Sequence, residues 1–390
     1  MRVILFLLFF WGISLGISAQ SPSLVDSARG AKPLLKPSFL KDSQMNLMLN
    51  TSFTSDTDGN GFQKLYGKMN YLKWEMKGTF CEDFFYHYRQ SMTKDALRGE
   101  ADRVSVSIDY ANIGWNVTPK FSLVAGKQLL ALGGYEFWVS GYKVQEFSEF
   151  NDLMNNYGTG VTFVYRPDAV QSISLQVVGS KTGSDDETFL YGLPRDIKPS
   201  KFPLLATLNW ERYCMNRELN LRYSVSAGQQ AEKTVLFYFT SGHVFRRNNW
   251  LAYWDVNMSF EGVDHKGLIS SLPVFGEGTS PVTAQNAVYF TTIANVDYRV
   301  SDFWNVYVKS GYELGGVTSG NACFRRGTYF HEWQIQACVE YYPKRDLDLK
   351  FYAHCLYKNR NLTTLSASLG GKDTCLQRVA LGVVYAIPVF

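Results

Sequence analysis

The sequence predicts a closed antiparallel β-barrel of about sixteen strands that spans a membrane, with short turns at one end and long loops at the other. Three observations lead to this fold: an apolar run at the N terminus, repeated segments in which apolar and polar residues alternate, and connections of alternating length. Beyond the N-terminal run, no stretch approaches the roughly eighteen consecutive apolar residues of a membrane-spanning helix. Strands must therefore cross the membrane, and only a closed barrel satisfies all their backbone hydrogen bonds there.

The N terminus has the features of a secretory signal peptide. Arg2 precedes an apolar run from Val3 to Ile17, and Ala19 ends a small-residue cleavage site. An uncleaved membrane anchor is the alternative, but the run is short for a spanning helix and polar residues follow it at once. The expected organisation is a signal peptide at residues 1–19, a periplasmic N-terminal segment at residues 20–43 and an outer-membrane β-barrel at residues 44–390.

Alternation gives each predicted strand one apolar face and one polar face. After Trp250, for example, Trp254 and Val256 alternate with Asp255 and Asn257. Because successive side chains of a strand point to opposite sides of the sheet, we expect the apolar face to meet lipid and the polar face to line the lumen. The predicted strands start near Met45, Met69, Phe84, Val104, Phe121, Gly158, Gln171, Pro203, Glu218, Thr234, Trp250, Ala287, Trp304, Phe330, Asp346 and Cys375.

Two of the strands carry irregularities. In the fourth, the apolar phase slips between Ile108 and Ile113, which predicts a β-bulge or a shifted boundary. In the last, Pro388 cannot donate a hydrogen bond to a neighbouring strand, so the register of the final residues stays open. That strand ends in Phe390, and a terminal aromatic residue on an alternating strand resembles the signal that outer-membrane assembly machinery binds. We therefore expect that machinery to be a partner.

The connections alternate between short and long, which is typical of an outer-membrane barrel and has no reason to occur in a soluble β-sandwich. The short ones are Gly78 to Asp83, Thr118 to Lys120, Pro167 to Asp168, Arg212 to Arg217, Val244 to Asn248, Val300 to Asp302 and Pro343 to Arg345. The long ones include Ser55 to Gly67, Leu129 to Tyr157, Ser180 to Phe202, Glu261 to Asn286, Leu314 to Thr328 and Asn359 to Thr374. The long loops are expected to face the outside of the cell.

Composition and motifs argue against other classes of protein. The net charge of +4 is too small to indicate nucleic-acid binding. Six scattered cysteines without a C-x-x-C pair do not indicate a zinc site, and the five histidines accompany no G-x-S-x-G or triad pattern. We therefore expect no catalytic residue, no metal and no cofactor. Cys323 and Cys375 both fall at the long-loop end, where they could form a disulfide or remain free thiols.

A group of motifs around the third long loop carries a family resemblance. They are Gly126-Lys127-Gln128 at the end of a strand, Gly133-Gly134-Tyr135-Glu136 near the start of the loop, a short helix at Phe150 to Met154, and Gly160-Val161-Thr162-Phe163 at the start of the next strand. In this order and spacing they resemble the phosphate-selective porin O and P family. The resemblance implies a sixteen-stranded barrel, often trimeric, whose third extracellular loop folds inward and narrows the pore. In this sequence that loop runs from Leu129 to Tyr157.

The residues expected to act in the pore lie on this loop and on the lumen face of the wall. The loop contributes Lys143, Glu146, Glu149 and Asp152, and the wall contributes Lys73, Lys77, Arg89, Lys127, Arg166, Arg222, Lys309 and Lys350. Acidic wall residues are interspersed among these cations, whereas a phosphate filter needs clustered Lys and Arg. The mixed signs therefore favour a weakly selective aqueous pore.

A finer expectation concerns the short helix of the loop. Its spacing places Glu149 and Asp152 on one face, which could look into the pore opposite Arg89 and Lys127. The alternative is that both carboxylates cap or solvate a surface helix.

The function that follows is passive diffusion of small hydrophilic solutes or ions through a water-filled pore, because about sixteen strands leave an aqueous lumen. A preference for anions or phosphate stays open at this point. The alternative function is a binding or adhesion receptor that acts through its long loops. The expected surroundings are outer-membrane lipid and, by the resemblance, two further copies of the chain in a homotrimer.

Overall fold

The computed structural model describes residues 43–59, 61–80, 83–93, 107–139, 141–154, 156–179, 189–273, 281–321, 323–344 and 346–389. The expected signal peptide, nearly all of the expected periplasmic segment, and Phe390 lie outside these residues, so the predictions made for them stay predictions. The described residues form sixteen antiparallel strands in one closed barrel, in which β1 pairs with β16 and every other strand pairs with its neighbours in sequence. The predicted fold class is therefore confirmed.

The strands begin within a few residues of the predicted positions except at β2, and the start predicted for β4 at Val104 lies outside the described residues. They are β1 Gln44–Asp58, β2 Gly61–Phe80, β3 Phe84–Ser91, β4 Ile108–Thr118, β5 Phe121–Leu129, β6 Tyr157–Asp168, β7 Gln171–Gly179, β8 Leu204–Cys214, β9 Leu219–Ala231, β10 Thr234–Arg247, β11 Trp250–Val263, β12 Gln285–Arg299, β13 Trp304–Val317, β14 Gly327–Tyr341, β15 Leu349–Leu362 and β16 Thr374–Pro388. Short helices are α1 Tyr135–Trp138, α2 Glu149–Asp152 and α3 Thr364–Ala367, with a 3₁₀ turn at Met215–Arg217.

The connections sort the barrel into two ends, which we call the turn end and the loop end. At the turn end, strands β10 and β11 join through Asn248 at φ 51°, a left-handed conformation that asparagine tolerates well. At the loop end, the predicted long connection from Ser55 to Gly67 is wrong. β1 and β2 instead form one long hairpin, whose pairing begins with Asp58 opposite Gly61. The predicted turn at Pro343 to Arg345 is also longer than expected, since β14 ends at Tyr341 and β15 begins at Leu349.

Alternation along the strands separates an apolar exterior from a polar lumen. On β11, Trp254 is 48% exposed whereas the next residue, Asp255, is fully buried inside the barrel. Asn257 is likewise buried, while the intervening Val256 lies on the outer face. This confirms the predicted register, because a slip of one residue would move every apolar side chain to the wrong face.

Both predicted irregularities have a clear structural outcome. Arg89 pairs with Tyr110 and Gln90 pairs with Ile108, so Asp109 is an extra residue and β4 contains the predicted bulge. The bulge turns Asp109 into the lumen, where its carboxylate accepts a hydrogen bond from Arg89 Nε at 3.1 Å. Pro388 is the last residue of β16 and lies opposite Asn46, which fixes the register of the closing strand pair.

Aromatic pairs mark the turn end of the outer surface. Trp250 stacks near Tyr298 with ring centroids 4.3 Å apart, and Trp304 lies 4.8 Å from Tyr341. Phe121 and Tyr165 form a similar pair at 4.7 Å on the opposite side of the barrel. Rings of this kind are typical of the boundary between hydrocarbon and water, where an apolar body and a polar tip are both satisfied. Among the described residues, no helix is long and apolar enough to cross a membrane.

The two cysteines left open by the sequence, Cys323 and Cys375, are free thiols in this structure. Cys375 is the second residue of β16 and pairs with Asn359 on β15, and Cys323 lies in the connection between β13 and β14.

The outer face of β11 provides a test of the membrane-spanning register. Replacing Val256 with arginine should lower the free energy of unfolding by about 2–4 kcal/mol, because Val256 lies near the middle of its strand and a charge there enters hydrocarbon. Val256→Leu is the matched control and should change stability little. Urea unfolding in lipid vesicles measures both. Equal stabilities of the two variants would mean that this face does not meet lipid.

Candidate functional site

The candidate site is the lumen, and its shape is set by the connection between β5 and β6, residues 130–156, which we call loop 3. Loop 3 leaves the wall at Leu129 and crosses part of the interior to strands β9 and β10. There the Gly133 N–H donates to Ser224 Oγ at 2.9 Å and to Thr240 Oγ1 at 2.6 Å, on β9 and β10. A Cβ atom at position 133 would lie 2.7 Å from the Thr240 carbonyl oxygen, so only glycine permits this approach.

Glu136 on α1 joins both halves of loop 3 to the barrel wall. Its carboxylate is fully buried and accepts hydrogen bonds from Ser148 Oγ at 2.6 Å and from Asn151 Nδ2. It also forms an ion pair with Lys309 Nζ of β13 at 2.7 Å. The Glu136 N–H donates to Asp255 on β11 at 2.7 Å. Burial opposes ionisation, but the Lys309 ammonium and the neighbouring donors outweigh it and hold the pKa of Glu136 below its usual range.

The helix α2 is anchored to the strands that follow. The side chain of Ser148 caps α2, and the Glu149 N–H donates to Glu313 Oε1 of β13 at 2.8 Å. The Glu149 carboxylate forms ion pairs with Lys358 and Arg360, which both project from the lumen face of β15.

Glu146 makes the next attachment, to Arg378 of β16 at 3.1 Å. Arg378 in turn pairs with Asp56 of β1 at 2.7 Å, across the strand pair that closes the barrel. Three carboxylates of loop 3 are therefore bound to the wall: Glu136 to β13, Glu149 to β15 and Glu146 to β16.

Apolar contacts complete the attachment on the side of β7 to β10. Leu132, Phe150 and Met154 of loop 3 pack against wall side chains in one buried cluster. The wall members of that cluster are Val178, Leu205, Leu236 and Tyr238. Burying several aliphatic and aromatic side chains in this way contributes about 1.5–3 kcal/mol for each fully buried one.

A second connection, from β11 to β12, packs against Phe150 of loop 3. Lys266 of this connection is buried and forms an ion pair with Glu261 at the loop end of β11. Its ammonium lies 4.5 Å from the ring centroid of Phe150 and 5.1 Å from the centroids of Tyr238 and Tyr289. The buried cation is thus compensated by one carboxylate and three aromatic faces.

Because loop 3 is attached to strands between β7 and β16, which we call the far wall, the lumen stays open beside strands β1 to β6, the near wall. A cavity of about 430 Å³ lies between loop 3 and the strands β1 to β6. It extends from Gln44, Lys77 and Asp348 at the turn end to Leu129 and Asn156 at the base of loop 3.

The wall of this cavity on β2 to β4 is a chain of paired charges. Arg89 lies between the carboxylates of Asp109 and Glu75, at 3.1 and 3.8 Å. Glu75 also accepts a hydrogen bond from His87 at 2.9 Å when that ring nitrogen carries a proton, and it lies 3.7 Å from Lys77. Positive and negative groups thus alternate along the wall at hydrogen-bonding or ion-pair distances.

The opposite side of the cavity is formed by loop 3 and the turn before β15. Phe137, Trp138, Tyr142 and Phe147 give it an aromatic character, and Lys143 and Asp152 add one charge of each sign. Asp348 lies at the turn end, where burial raises its pKa to about 6 despite the opposing effect of Lys143. Its carboxylate is therefore mostly ionised at neutral pH and becomes neutral in mildly acidic surroundings.

The structure divides the expected pore residues into two groups and leaves two outside both. The cavity is lined by Lys73, Lys77, Arg89, Lys143 and Asp152, whereas Glu146, Glu149, Arg222, Lys309 and Lys350 make ion pairs that hold loop 3 or its supporting wall. Arg166 donates to Ser122 Oγ near the turn end, and Lys127 is likewise not among the residues that line the cavity.

Glu149 and Asp152, which were expected to share one face of α2 toward the pore, have different surroundings in the structure. Asp152 lines the same cavity as Arg89. Glu149 points away from it, because Lys358 and Arg360 on β15 offer two cations that a short helix near that wall can reach. Sequence reasoning missed these two cations and Arg378 as partners of loop 3. The sequence did carry a signal for these three residues, because each lies at a lumen-facing position of a strand in which apolar and polar residues alternate.

Among the described residues, no group of three or more His, Cys, Asp or Glu side chains is arranged to hold a metal ion.

Comparison with known proteins gives a family and a fold. A family model for phosphate-selective porin O and P matches residues 49–376. The outer membrane channel DcaP of Acinetobacter baumannii superimposes with a TM-score of 0.63 at 11% identity, over 91% of this chain and 100% of that chain. The anion-selective porin from Comamonas acidovorans gives 0.58 at 7% identity, over 88% and 99%.

The outer membrane protein OmpT of Vibrio cholerae, in a trimer form, gives 0.50 at 12% identity, over 88% of this chain and 98% of that chain. At such identities the likeness of the solved structures establishes the fold alone. A search of curated proteins finds no match to this chain.

Breaking the buried ion pair between Glu136 and Lys309 should destabilise the protein. Glu136→Gln should lower the free energy of unfolding by about 3–5 kcal/mol, because Lys309 then stays buried without its counter-charge. The double variant Glu136→Gln with Lys309→Met should lose less than the sum of the two single variants, since neither charge is left unpaired. Urea unfolding in lipid vesicles provides the three values.

A matched control is Glu218→Gln, which removes the exposed pair of Glu218 with Arg247 at 3.7 Å near the turn end. That change should alter stability by no more than about 1 kcal/mol. Additive single-variant effects at Glu136 and Lys309 would show that the two side chains are not coupled.

Proposed function

This chain belongs to the phosphate-selective porin O and P family and is a diffusion channel of the outer membrane, and we propose that solutes pass it through the cavity between loop 3 and strands β1 to β6. The observation that carries the proposal is the one-sided attachment of loop 3. Its contacts with β9 to β16 occupy the far part of the lumen, and the near part retains about 430 Å³ with a charged wall. Solutes cross the channel chemically unchanged.

The charges around the cavity support weak selectivity. Four basic side chains line it, namely Lys73, Lys77, Arg89 and Lys143, and four acidic ones do so, namely Glu75, Asp109, Asp152 and Asp348. A strong anion filter needs several cations that are free to bind the ion. Here the wall cations already contact carboxylates, so we propose passage of small hydrophilic solutes and ions of either sign, with at most a modest preference for anions.

We further propose that the loop end faces the outside of the cell and that three copies assemble. The trimer form of the Vibrio cholerae protein supports the assembly, and the apolar outer face of the strands supports contact with lipid or a neighbouring copy.

Shortening loop 3 tests the proposed passage. Removal of residues 142–146, which lie between α1 and α2, should raise the single-channel conductance in a planar bilayer because Tyr142 and Lys143 of this segment line the cavity. An equal-length replacement of the same residues by Gly and Ser is the control. It loses the same side chains but keeps the length of the loop, so it should raise conductance less. If the deletion leaves conductance unchanged, the passage lies elsewhere in the barrel.

A further inference from the structure

The two sides of the cavity offer different chemistry to a solute. The side on β2 to β4 presents donors and acceptors in alternation: Lys77, Glu75, Arg89, Asp109 and then Lys73, which lies 3.6 Å from Asp109. The side on loop 3 presents aromatic rings. A solute that fits both sides must carry polar groups along one edge and an apolar face.

The polar side suits hydroxyl groups better than a phosphate. Each of its cations lies within 4 Å of a carboxylate, so a bound dianion would have to replace those contacts and would lie close to the carboxylates as well. A hydroxyl group is both donor and acceptor, so it can bridge a cation and the neighbouring carboxylate without separating them. A row of hydroxyl groups therefore matches the row of paired charges.

Trp138 is the main apolar surface on the other side. It is 41% exposed although it lies inside the barrel, and it lines the cavity. Its indole N–H donates to the Leu132 carbonyl oxygen, and the Arg222 guanidinium lies 4.9 Å from its ring centroid. The polar atom of Trp138 is thus satisfied within the protein, and the ring is held in place with surface left open to the lumen.

We propose that this cavity binds saccharides during their passage, with the ring hydroxyl groups on the β2 to β4 wall and the C–H face of a sugar ring against Trp138. The inference rests on the proposed diffusion function and names its solute class. A volume of about 430 Å³ lies within the range of about 300–1,000 Å³ that is typical of small-molecule sites. Aromatic stacking beside hydrogen-bonding groups gives transient binding, which permits both entry and release.

The test is saccharide block of the ion current through the full-length channel in a planar bilayer. Glucose, maltose and maltotriose should each reduce the current in a concentration-dependent way, whereas inorganic phosphate at the same ionic strength should not. Trp138→Ala should raise the half-blocking concentration about three- to tenfold, in line with the energy of an aromatic contact. Trp138→Phe keeps a ring and should retain most of the block.

Trp333→Ala is the matched control, because Trp333 is 55% exposed on the outer face of β14 and should not affect block. Lys77→Met tests the polar side independently and should also weaken block. A channel that conducts ions but is not blocked by any of the three sugars overturns the saccharide inference and leaves the diffusion function standing. Stronger block by phosphate than by sugars, or equal block of the wild-type and Trp138→Ala channels, overturns it too. If the wild-type channel conducts no ions, the diffusion function is wrong, and the saccharide inference that rests on it is wrong too.

Discussion

The buried ion pair between Glu136 and Lys309 decides where loop 3 lies, and the shape of the lumen depends on it. Glu136 binds α2 through Ser148 and Asn151, so one carboxylate fixes the loop internally and also fixes it to β13. A buried carboxylate of this kind tolerates few alternative positions, because every displacement leaves it or the lysine without a counter-charge. The other attachments of loop 3 are made to the same side of the barrel. They range from the hydrogen bonds of Gly133 to the ion pair with Arg378.

This arrangement follows from the size of the barrel. Sixteen strands enclose more space than wall side chains can fill, so loops must occupy part of it if the passage is to be narrow. Loop 3 enters from β5 and β6 and binds the wall opposite, and Lys266 of a second connection packs on its Phe150. The passage that remains is therefore off-centre, with the charged strands β2 to β4 on one side and the aromatic residues of the loop on the other. A solute experiences both chemistries at once, which a central pore would not provide.

The periodic part of the structure could be predicted from the sequence, and the loop contacts could not. Strand alternation depends only on neighbouring residues, so the faces of Trp254 and Asp255 and the bulge at Asp109 could be located. The hairpin that replaces the expected loop from Ser55 to Gly67 was missed because its polar residues resemble a loop, while pairing across the hairpin stabilises the strands. The direction of Glu149 was missed for a related reason. Its partners on β15 lie more than 200 residues away in sequence, and periodicity carries no information about such a distance.

The most direct measurement of the off-centre passage compares thiol accessibility on the two sides of the lumen. In a cysteine-free background, Lys77→Cys places a thiol in the cavity, and Thr240→Cys places one beneath Gly133, where the wall residue is buried. A charged, membrane-impermeant thiol reagent is added to the open channel while its conductance is recorded. We expect rapid modification and a fall in conductance for Lys77→Cys, and protection of Thr240→Cys. Equally rapid modification of both would contradict this expectation, because loop 3 would then not cover the far wall.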